Sequence, residues 1–508
     1  MTIRLRDNRF DKNALCFRKQ GEGPYVSPND NAEGLGNQQV DELERKLLEQ
    51  FGGKTLEELV DEAGETIVLL DDSHIDDSNR KSQPFFTIKP KNEDDQEDSS
   101  FRLGTGNLMG VLRFRDKTSG TSVQIEILSR FDKGEKNFFL NYLLSKVFDC
   151  ALGTESVSAE HSSILELLLD IVFVRRLGEA AKAGLLRHYR EFHNNDWNFK
   201  GSLDLARHIR ENIPLMHGIA YRKREIDLDV PVNRMILLAA LTVNRRHPEF
   251  FEGSTDAADA LRQLRMGVTE VHDLRALLSY RECREPVSHP FFREVWEPLR
   301  RIARMILEDE RWTLFTDQIT EDEVSGIVFD GSWLWEEYIA TVLKEKGWRH
   351  CGRGIGGGLS VFRDGFARFY PDFILGRENG SNHAIAVLDA KYKRSNPNGD
   401  RNDVHQILCY LLLTGAKFGG LVFPPVDTRC EDLKSIQAEE NGGTGDKGLP
   451  TGWSDPRNIA SQYSIDKEPI KWSCFSWKHP QTRGLATFKE YADNMAKQES
   501  TLLAGPNA

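Results

Sequence analysis

The sequence contains few cysteines, and none are spaced for a structural role. Its 508 residues include seven cysteines, an odd number, spread from Cys16 to Cys474 without any Cys-x-x-Cys spacing. Structural zinc sites and disulfide frameworks both need paired or closely spaced cysteines. The sequence therefore argues against both, and it favours a reducing, cytoplasmic environment.

Long hydrophobic runs are also missing. No run reaches the roughly 20 apolar residues that a transmembrane helix needs, and residues 1–7 lack the apolar segment of a secretory signal. We therefore expect a cytoplasmic protein without a membrane partner.

A nucleotide-binding loop is a third absence. Residues 352–358 are rich in glycine but lack the Lys-Ser/Thr of a P-loop and the GxGxxG spacing of a dinucleotide fold. A flexible turn is the better interpretation of this stretch. We expect no nucleotide to bind to this chain.

Positive charge is in short supply, because 67 lysines and arginines face 79 acidic residues and leave a net charge of −12. Non-specific DNA affinity comes from neutralising phosphates. If the substrate is DNA, a local basic face or a partner protein must supply most of the binding. The hydrophobic share of 39% is that of a chain that forms cores, and the length predicts two to four domains.

Two apolar runs in the last third of the chain carry acidic residues at their ends. The first, residues 370–375, begins Tyr-Pro-Asp with Asp372. The second, residues 384–393, contains Asp-Ala-Lys with Asp389 and Lys391. A Gly-Ser-Asn segment separates the runs, a pattern typical of a β-hairpin.

Two carboxylates and a lysine on one hairpin suit a hard divalent cation. Mg²⁺ prefers oxygen ligands and keeps several waters, so Asp372, Asp389 and the Ala390 carbonyl would suffice together with substrate phosphate. Mn²⁺ is the alternative ion. A bound ion would polarise a phosphate and activate water, and Lys391 would position that water.

The predicted helices on either side of the hairpin add polar candidates. On helix 332–345, Glu336 is the preferred further metal ligand, and Glu337 fits a solvated face better. On helix 403–414, Gln406 and Tyr410 are four residues apart and so share one face. They could orient water or phosphate. The alternative is that Tyr410 belongs to the core with Gln406 as its neighbour.

Three cations near the hairpin are candidates for DNA contacts: Lys393, Arg394 and Arg401. Ordinary surface charge is an equally good interpretation, because exposed cations are common and contribute little by themselves.

Three segments are predicted, and the whole is an α/β multidomain protein. Residues 1–150 are β-rich, with strands at 65–70, 84–88, 108–115 and 122–129 and helices at 40–51, 56–63 and 137–148. Residues 151–322 form a helical linker or scaffold domain, with helices at 163–179, 203–211, 233–245, 257–268, 271–280 and 294–307, the first continuing past Gly184 to residue 190. Residues 323–508 hold the hairpin, helix 403–414 ended by Gly415, a strand at 419–424, an edge strand at 469–477 and a disordered tail from Glu499.

An acidic block at 91–100 is predicted to be an exposed loop, with partner binding as the alternative.

The order of these motifs resembles a known nuclease superfamily. Glu336, Pro-Asp, Asp-x-Lys and Gln-x-x-x-Tyr follow one another as in RecB-like PD-(D/E)xK nucleases. Upstream, residues 184–189, 199–204 and 227–234 look like the McrC family, the nuclease subunit of McrBC modification-dependent restriction systems. The resemblance covers roughly residues 105–425.

The resemblance to McrC implies a division of labour. It implies a β-rich N-terminal domain that contacts a partner, and a C-terminal PD-(D/E)xK domain with a mixed sheet flanked by helices. It implies Mg²⁺-dependent endonuclease activity against double-stranded modified DNA. The partner would be a McrB-like AAA+ GTPase hexamer that reads 5-methylcytosine and whose GTP hydrolysis this chain stimulates.

Two other functions remain open. The chain could be a non-catalytic assembly or activator subunit, although an intact Asp-x-Lys argues against that. It could also be a PD-(D/E)xK nuclease of another defence system with an ATP-driven partner. A neighbouring AAA+ GTPase gene would favour the McrBC assignment.

Overall fold

The structure is a computed structural model, and its description covers most of the chain. It describes residues 2–8, 16–17, 39–40, 42–63, 66–70, 82–90, 101–116, 119, 121–132, 137–148, 164–214, 217–287, 290–314, 323–351, 359–360, 368–376, 384–394, 400–426, 457–458, 464–465, 468–469, 471–478 and 488–501. The predicted acidic loop at 91–100, the glycine-rich turn at 352–358 and the hairpin's Gly-Ser-Asn segment lie outside these residues.

The chain divides into two compact units. One unit combines Met1–Leu165 with Gln318–Ala508, and the other is Glu166–Asp317. The two ends of the chain therefore share one unit, and the three-domain division at residues 150 and 322 stays a prediction.

In its described residues, the N-terminal part of the first unit mixes short strands with three helices. The strands are β1 Thr2–Arg6, β2 Cys16–Phe17, β3 Gln39–Val40, β4 Ile67–Leu69, β5 Phe86–Pro90, β6 Phe101–Thr105, β7 Leu108–Arg115 and β8 Ser122–Leu128. The helices are α1 Glu42–Phe51, α2 Leu56–Ala63 and α3 Phe138–Val147. The predicted strands and helices of this part are confirmed to within a few residues.

The second unit is largely helical but contains a small sheet. Its helices are α4 Ile164–Ala183, α5 Leu205–Asn212, α6 Pro231–Arg246, α7 Pro248–Glu252, α8 Thr255–Gly267, α9 Leu274–Ser279, α10 Arg281–Arg284 and α11 Pro290–Leu314. Its strands are β9 His188–Asp196, β10 Ser202–Leu203 and β11 Ile219–Asp227, in the antiparallel order β10-β11-β9.

The prediction that the first of these helices continues past Gly184 to residue 190 is therefore wrong. Helix α4 ends at Ala183, and Gly184 has a left-handed φ of 94°, which is typical of a residue just beyond a helix C-terminus. The residues that follow form β9, in which no side chain is fully buried. Because neither face of β9 is apolar, its sequence lacks the alternation that identifies a strand.

The C-terminal part of the first unit holds the remaining elements. Its strands are β12 Glu323–Asp330, β13 Trp348–His350, β14 Leu359–Ser360, β15 Arg368–Phe369, β16 Phe373–Leu375, β17 Ala386–Ala390, β18 Phe418–Val426, β19 Arg457–Asn458, β20 Ser464–Ile465, β21 Glu468–Pro469 and β22 Lys471–Lys478. Its helices are α12 Gly331–Lys344, α13 Arg401–Thr414 and α14 Phe488–Thr501. Across the described ranges, every helix is too short or too polar to span a bilayer.

A five-stranded sheet joins the two ends of the chain. Its order is β1-β8-β7-β12-β4, with β7 antiparallel to both β8 and β12 and with parallel pairs at the two edges. The predicted strands at 108–115 and 122–129 are β7 and β8, which pair as an antiparallel hairpin. Strand β12, which follows the second unit, completes this N-terminal sheet.

Two glycines allow β7 and β12 to pair closely. Gly110 has a φ of 131°, and a Cβ there would lie 2.0 Å from the Ile327 carbonyl oxygen. Gly326 has a φ of 154°, and a Cβ there would lie 2.0 Å from the Val111 carbonyl oxygen. Both positions therefore require glycine for conformation and for space.

We expect Gly326→Ala to lower the free energy of unfolding by about 2–4 kcal/mol, because the new methyl group would strain the backbone and displace a neighbouring strand. Urea unfolding would measure the change. Gly376→Ala is the matched control, since a Cβ there has no heavy atom within 4 Å. Equal stability of the two variants would contradict the prediction.

A six-stranded sheet carries the predicted hairpin. Its order is β13-β16-β17-β18-β22-β19. Strands β16 and β17 are antiparallel, as predicted, and β17 is parallel to β18 across helix α13. Gly415, with a φ of 65°, ends α13 as predicted. Strand β22 lies between β18 and β19, so the prediction of an edge strand there is wrong.

The C-terminal helix corrects a further prediction. The sequence predicts a disordered tail from Glu499, but Glu499 lies in α14 and is buried. Its Oε1 atom accepts hydrogen bonds of 2.6 Å from the hydroxyls of Tyr142 and Tyr338. These bonds join α14 to α3 and to α12. A buried carboxylate with two such partners is anchored rather than mobile.

Candidate functional site

Asp372 and Asp389 are brought together by the hairpin. Asp372 directly precedes β16, and Asp389 lies near the end of β17, where Phe373 pairs with Leu388. The Oδ2 atom of Asp372 accepts a 2.6 Å hydrogen bond from the backbone N–H of Ala390. This bond crosses between the two strands and fixes the carboxylates side by side. Asp389 is only 1% exposed.

Lys391 completes the group. Its Nζ atom lies 2.5 Å from Oδ2 of Asp389 and donates a 2.9 Å hydrogen bond to Oε1 of Gln406. Its backbone N–H donates to the Val422 carbonyl on β18, at 2.8 Å. The ammonium is therefore held by both its side-chain partners and its backbone.

Gln406 and Tyr410 share one face of α13, as their spacing predicts. Nε2 of Gln406 donates to the Tyr410 hydroxyl at 2.7 Å, and that hydroxyl donates to the Tyr370 carbonyl at 2.9 Å. The Tyr410 ring packs in the core with Val387 and Ile407. The Tyr410 ring is therefore part of the core, and the polar atoms of the pair link Lys391 to the Tyr370 carbonyl. A role in orienting water or phosphate stays a prediction.

Glu336 faces the same group from α12. Asp330 begins this helix by accepting hydrogen bonds from the backbone N–H groups of Ser332 and Trp333. Oε1 of Glu336 lies 2.8 Å from Nε2 of His350, whose ring stacks on Phe373. Glu336 therefore already has a partner within the chain.

Negative charge dominates the electrostatics of the site. Burial raises the pKa of Asp372 well above its ordinary value, and the charges of Asp389 and Glu336 raise it further. Burial also raises the pKa of Asp389, although the Lys391 ammonium opposes the shift. Burial alone would lower the pKa of Lys391, but the carboxylates around it, Asp389 above all, raise it. Three carboxylates repel one another here, and the lysine stays charged.

His350 responds to the same charges. Burial alone would lower its pKa, but the hydrogen bond to Glu336 and the charge of that carboxylate raise it above the ordinary histidine value. Sequence reasoning missed His350. A single histidine at the end of a short strand gives no periodic or motif signal, and only its packing against Glu336 and Phe373 identifies it.

The donor set fits a magnesium ion held by few protein ligands. Among the residues that the structure describes, no three His, Cys, Asp or Glu side chains are grouped as a metal centre. However, the buried Oδ2 of Asp389 lacks a hydrogen bond of normal geometry despite its ion pair with Lys391. Mg²⁺ is commonly held by one or two carboxylates plus waters and substrate phosphates. Asp372 and Asp389 meet that requirement, and direct ligation by Glu336 stays a prediction.

The three predicted DNA-contacting cations differ in their surroundings. Lys393 forms ion pairs with Asp400 and Asp403, the second at 2.6 Å. Arg394 and Arg401 are exposed beside the hairpin and at the start of α13. Because two carboxylates neutralise Lys393, the two arginines are the better placed to meet a phosphate.

One comparison with known proteins identifies a family. A family model described as "McrBC 5-methylcytosine restriction system component" matches residues 103–424. No curated protein gives a sequence match. The chain is similar to one in the half-complex from a tetradecameric assembly of Thermococcus gammatolerans McrB AAA+ hexamers with bound McrC, at 14% identity and a TM-score of 0.47, covering 98% of this chain and 100% of that one. A chain of the T. gammatolerans McrBC complex is 15% identical, with a TM-score of 0.31 and coverage of 68% and 88%.

Proposed function

Since the chain belongs to the McrBC family of 5-methylcytosine restriction system components, we propose that it is the McrC-type nuclease subunit and a Mg²⁺-dependent DNA endonuclease. The family predicted from the sequence is confirmed by this membership. The assignment of the chain to McrC, and the activity itself, are the proposal.

One observation carries the proposal: Asp372, Asp389 and Lys391 converge at the ends of two paired strands, in the arrangement that a PD-(D/E)xK site requires. The Ala390 N–H bond to Asp372 and the ion pair of Lys391 with Asp389 hold the three groups together. A subunit that only assembled a complex would have no need for this buried excess of negative charge, which raises the pKa of both carboxylates.

The residues of the chain would divide the chemistry as follows. Asp372 and Asp389 would hold Mg²⁺, which when bound supplies Lewis acidity toward the scissile phosphate and its attacking water. Lys391 would orient that water and offset negative charge that develops on the phosphate. Gln406 fixes the direction of the Lys391 ammonium, and Tyr410 fixes Gln406. Glu336 would act as a further ligand, directly or through water.

DNA reading and movement would belong to a partner. With a net charge of −12, the chain can neutralise few phosphates outside the site. Its sequence also contains no P-loop, so nucleotide hydrolysis must occur in another chain. We propose that the partner is a McrB-like AAA+ GTPase hexamer that recognises 5-methylcytosine and whose GTP hydrolysis this chain stimulates.

The test combines the chain with its AAA+ partner, GTP, and linear DNA with or without 5-methylcytosine. We expect Mg²⁺-dependent cleavage of the methylated DNA only. A chelator should abolish cutting, and added Mn²⁺ should restore it. Cleavage that survives chelation would contradict the metal assignment. Stimulated GTP hydrolysis without any cutting would favour a non-catalytic subunit, and a requirement for ATP instead of GTP would favour another defence system.

A further inference from the structure

Tyr392 directly follows Lys391, yet its side chain packs against a distant part of the chain. We call this part the N-terminal sheet region; it comprises strands β1, β7 and β8 with Asp7 and residues 129–131. Its hydroxyl lies 2.8 Å from Oγ of Ser129 and donates to the sulfur of Met109 at 3.6 Å. Its ring packs edge-on against Phe131, with 5.0 Å between centroids. Tyr392 is buried. Residues of β7 and of the segment that follows β8 therefore hold the chain one residue beyond Lys391.

Arg130 binds the backbone of the same residue. Its Nη2 atom donates to the Tyr392 carbonyl oxygen, and its guanidinium lies 4.8 Å from the centre of the Tyr392 ring. Asp7 is fully buried. Its Oδ1 atom accepts a 2.6 Å hydrogen bond from the backbone N–H of Arg130, and its Oδ2 atom lies 3.3 Å from the Arg130 guanidinium. Asp7 therefore holds Arg130, and Arg130 in turn holds Tyr392.

The Tyr392 ring also lies against the first residue of α12. A Cβ on Gly331 would lie 2.7 Å from Cε1 of Tyr392. The same helix carries Glu336 one and a half turns later. The ring of Tyr392 is therefore in contact both with the N-terminal sheet region and with the helix that carries Glu336.

The backbone around Lys391 leaves little freedom for the lysine to move independently of Tyr392. The Lys391 N–H is bound to Val422, and the Lys391 carbonyl accepts a 2.8 Å hydrogen bond from the Lys393 N–H. The next peptide carbonyl, that of Tyr392, is bound to Arg130. A shift of Arg130 would therefore be transmitted through one peptide unit to Lys391.

We propose that Asp7 and Arg130, through Tyr392, are positioning residues for the nuclease site, so that the N-terminal sheet region sets the geometry of Lys391. The inference rests on the proposed nuclease function. None of these residues touches the reacting groups. Asp7 and Arg130 hold the backbone of Lys391 in the position from which its ammonium contacts Asp389 and Gln406. Catalytic side chains generally need such support, because they must be held to within about 0.5 Å of the productive geometry.

The test compares Arg130→Gln and Asp7→Asn with the wild-type chain in the full complex. A misplacement of about 1 Å can lower a rate by about 10²-fold, so we expect kcat for cleavage to fall about 10–100-fold with little change in KM for DNA. Arg130→Lys, which keeps the charge, should recover part of the loss. Arg113→Gln is the matched control, since Arg113 lies in the same sheet but bonds Gln124 instead.

A second variant perturbs the Tyr392 ring from helix α12. Gly331→Ala leaves Asp7 and Arg130 unchanged but places a methyl group against the Tyr392 ring. It should lower kcat in the same way. Equal kcat for the wild-type chain, Arg130→Gln and Gly331→Ala, with all three folded, would overturn the inference.

Amide hydrogen exchange gives a readout that does not depend on cleavage. In Arg130→Gln and in Gly331→Ala, exchange at Lys391 and Lys393 should accelerate, whereas exchange in β17 should stay slow; unchanged exchange at both lysines would overturn the inference. If the wild-type chain does not cut DNA but the exchange still changes, the proposed function fails while the coupling stands. If the wild-type chain cuts and neither kcat nor exchange responds, only the coupling fails.

Discussion

Replacing Asp389 with alanine is expected to lower the rate of DNA cleavage by about 10³-fold or more, while the partner's GTP hydrolysis stays stimulated. The substitution removes a carboxylate that would hold Mg²⁺, and with it the partner that fixes Lys391 at 2.5 Å. Loss of the ion removes both the polarisation of the phosphate and the activation of water. Loss of the lysine's position removes a stabilising charge at the developing phosphorane.

Cleavage of methylated DNA and release of phosphate from GTP would be measured in the same reaction. Asp389→Asn, which preserves shape, should lose cleavage to a similar degree, and this excludes a trivial folding defect. Glu337→Gln is the matched control, because it neutralises a half-buried neighbouring carboxylate on α12 that is not among the predicted metal ligands. Cleavage by Asp389→Asn at the wild-type rate would rule out Asp389 as a metal ligand.

Asp372→Asn is expected to abolish cleavage and, at neutral pH, to stabilise the metal-free chain. The folded protein raises the pKa of Asp372 through burial and the charges of Asp389 and Glu336. A carboxyl group whose pKa is raised on folding contributes stability below its ordinary pKa of about 4, and this contribution is lost as pH rises through the folded value. Raising the pH from 4 to 7 therefore lowers the stability of the metal-free chain through this carboxyl group.

Thermal unfolding of the metal-free chain as a function of pH would test whether Asp372 lowers the stability of the folded protein at pH 7. The midpoint of Asp372→Asn should exceed that of the wild-type chain at pH 7, and the two should converge toward pH 4. Added Mg²⁺ should raise the midpoint of the wild-type chain alone, because an ion that binds only the folded state stabilises it. A variant less stable than wild type at pH 7 would show that the hydrogen bond from Ala390 outweighs the repulsion.

The sequence predicts which site residues lie on the hairpin and which share one face of α13. Asp372, Asp389 and Lys391 are close along the chain, and two apolar runs with an intervening turn predict the hairpin that joins them. Gln406 and Tyr410 are four residues apart on a helix, so their shared face was equally determined. The family assignment also came from such short stretches.

Strand β9 shows where sequence patterns give no information. One face of β9 is exposed and the other is at most half-buried, so burial imposes no apolar alternation on the sequence, and the sequence predicts a helix as far as residue 190. Glu499 was misassigned for a related reason. A carboxylate near a polar C-terminus looks solvated, and only the hydroxyls of Tyr142 and Tyr338 explain its burial.

What the sequence alone determined about this protein is therefore what neighbouring residues decide: the hairpin, the helices on either side of it, and the set of charged groups that they carry. Only the tertiary structure decided which distant residues meet. It pairs β12 with β7 across an intervening unit, joins Glu336 to His350, and brings Asp7 and Arg130 to the backbone beside Lys391. Such contacts depend on three-dimensional packing and leave no periodic trace along the chain, because the residues that form them are far apart in sequence.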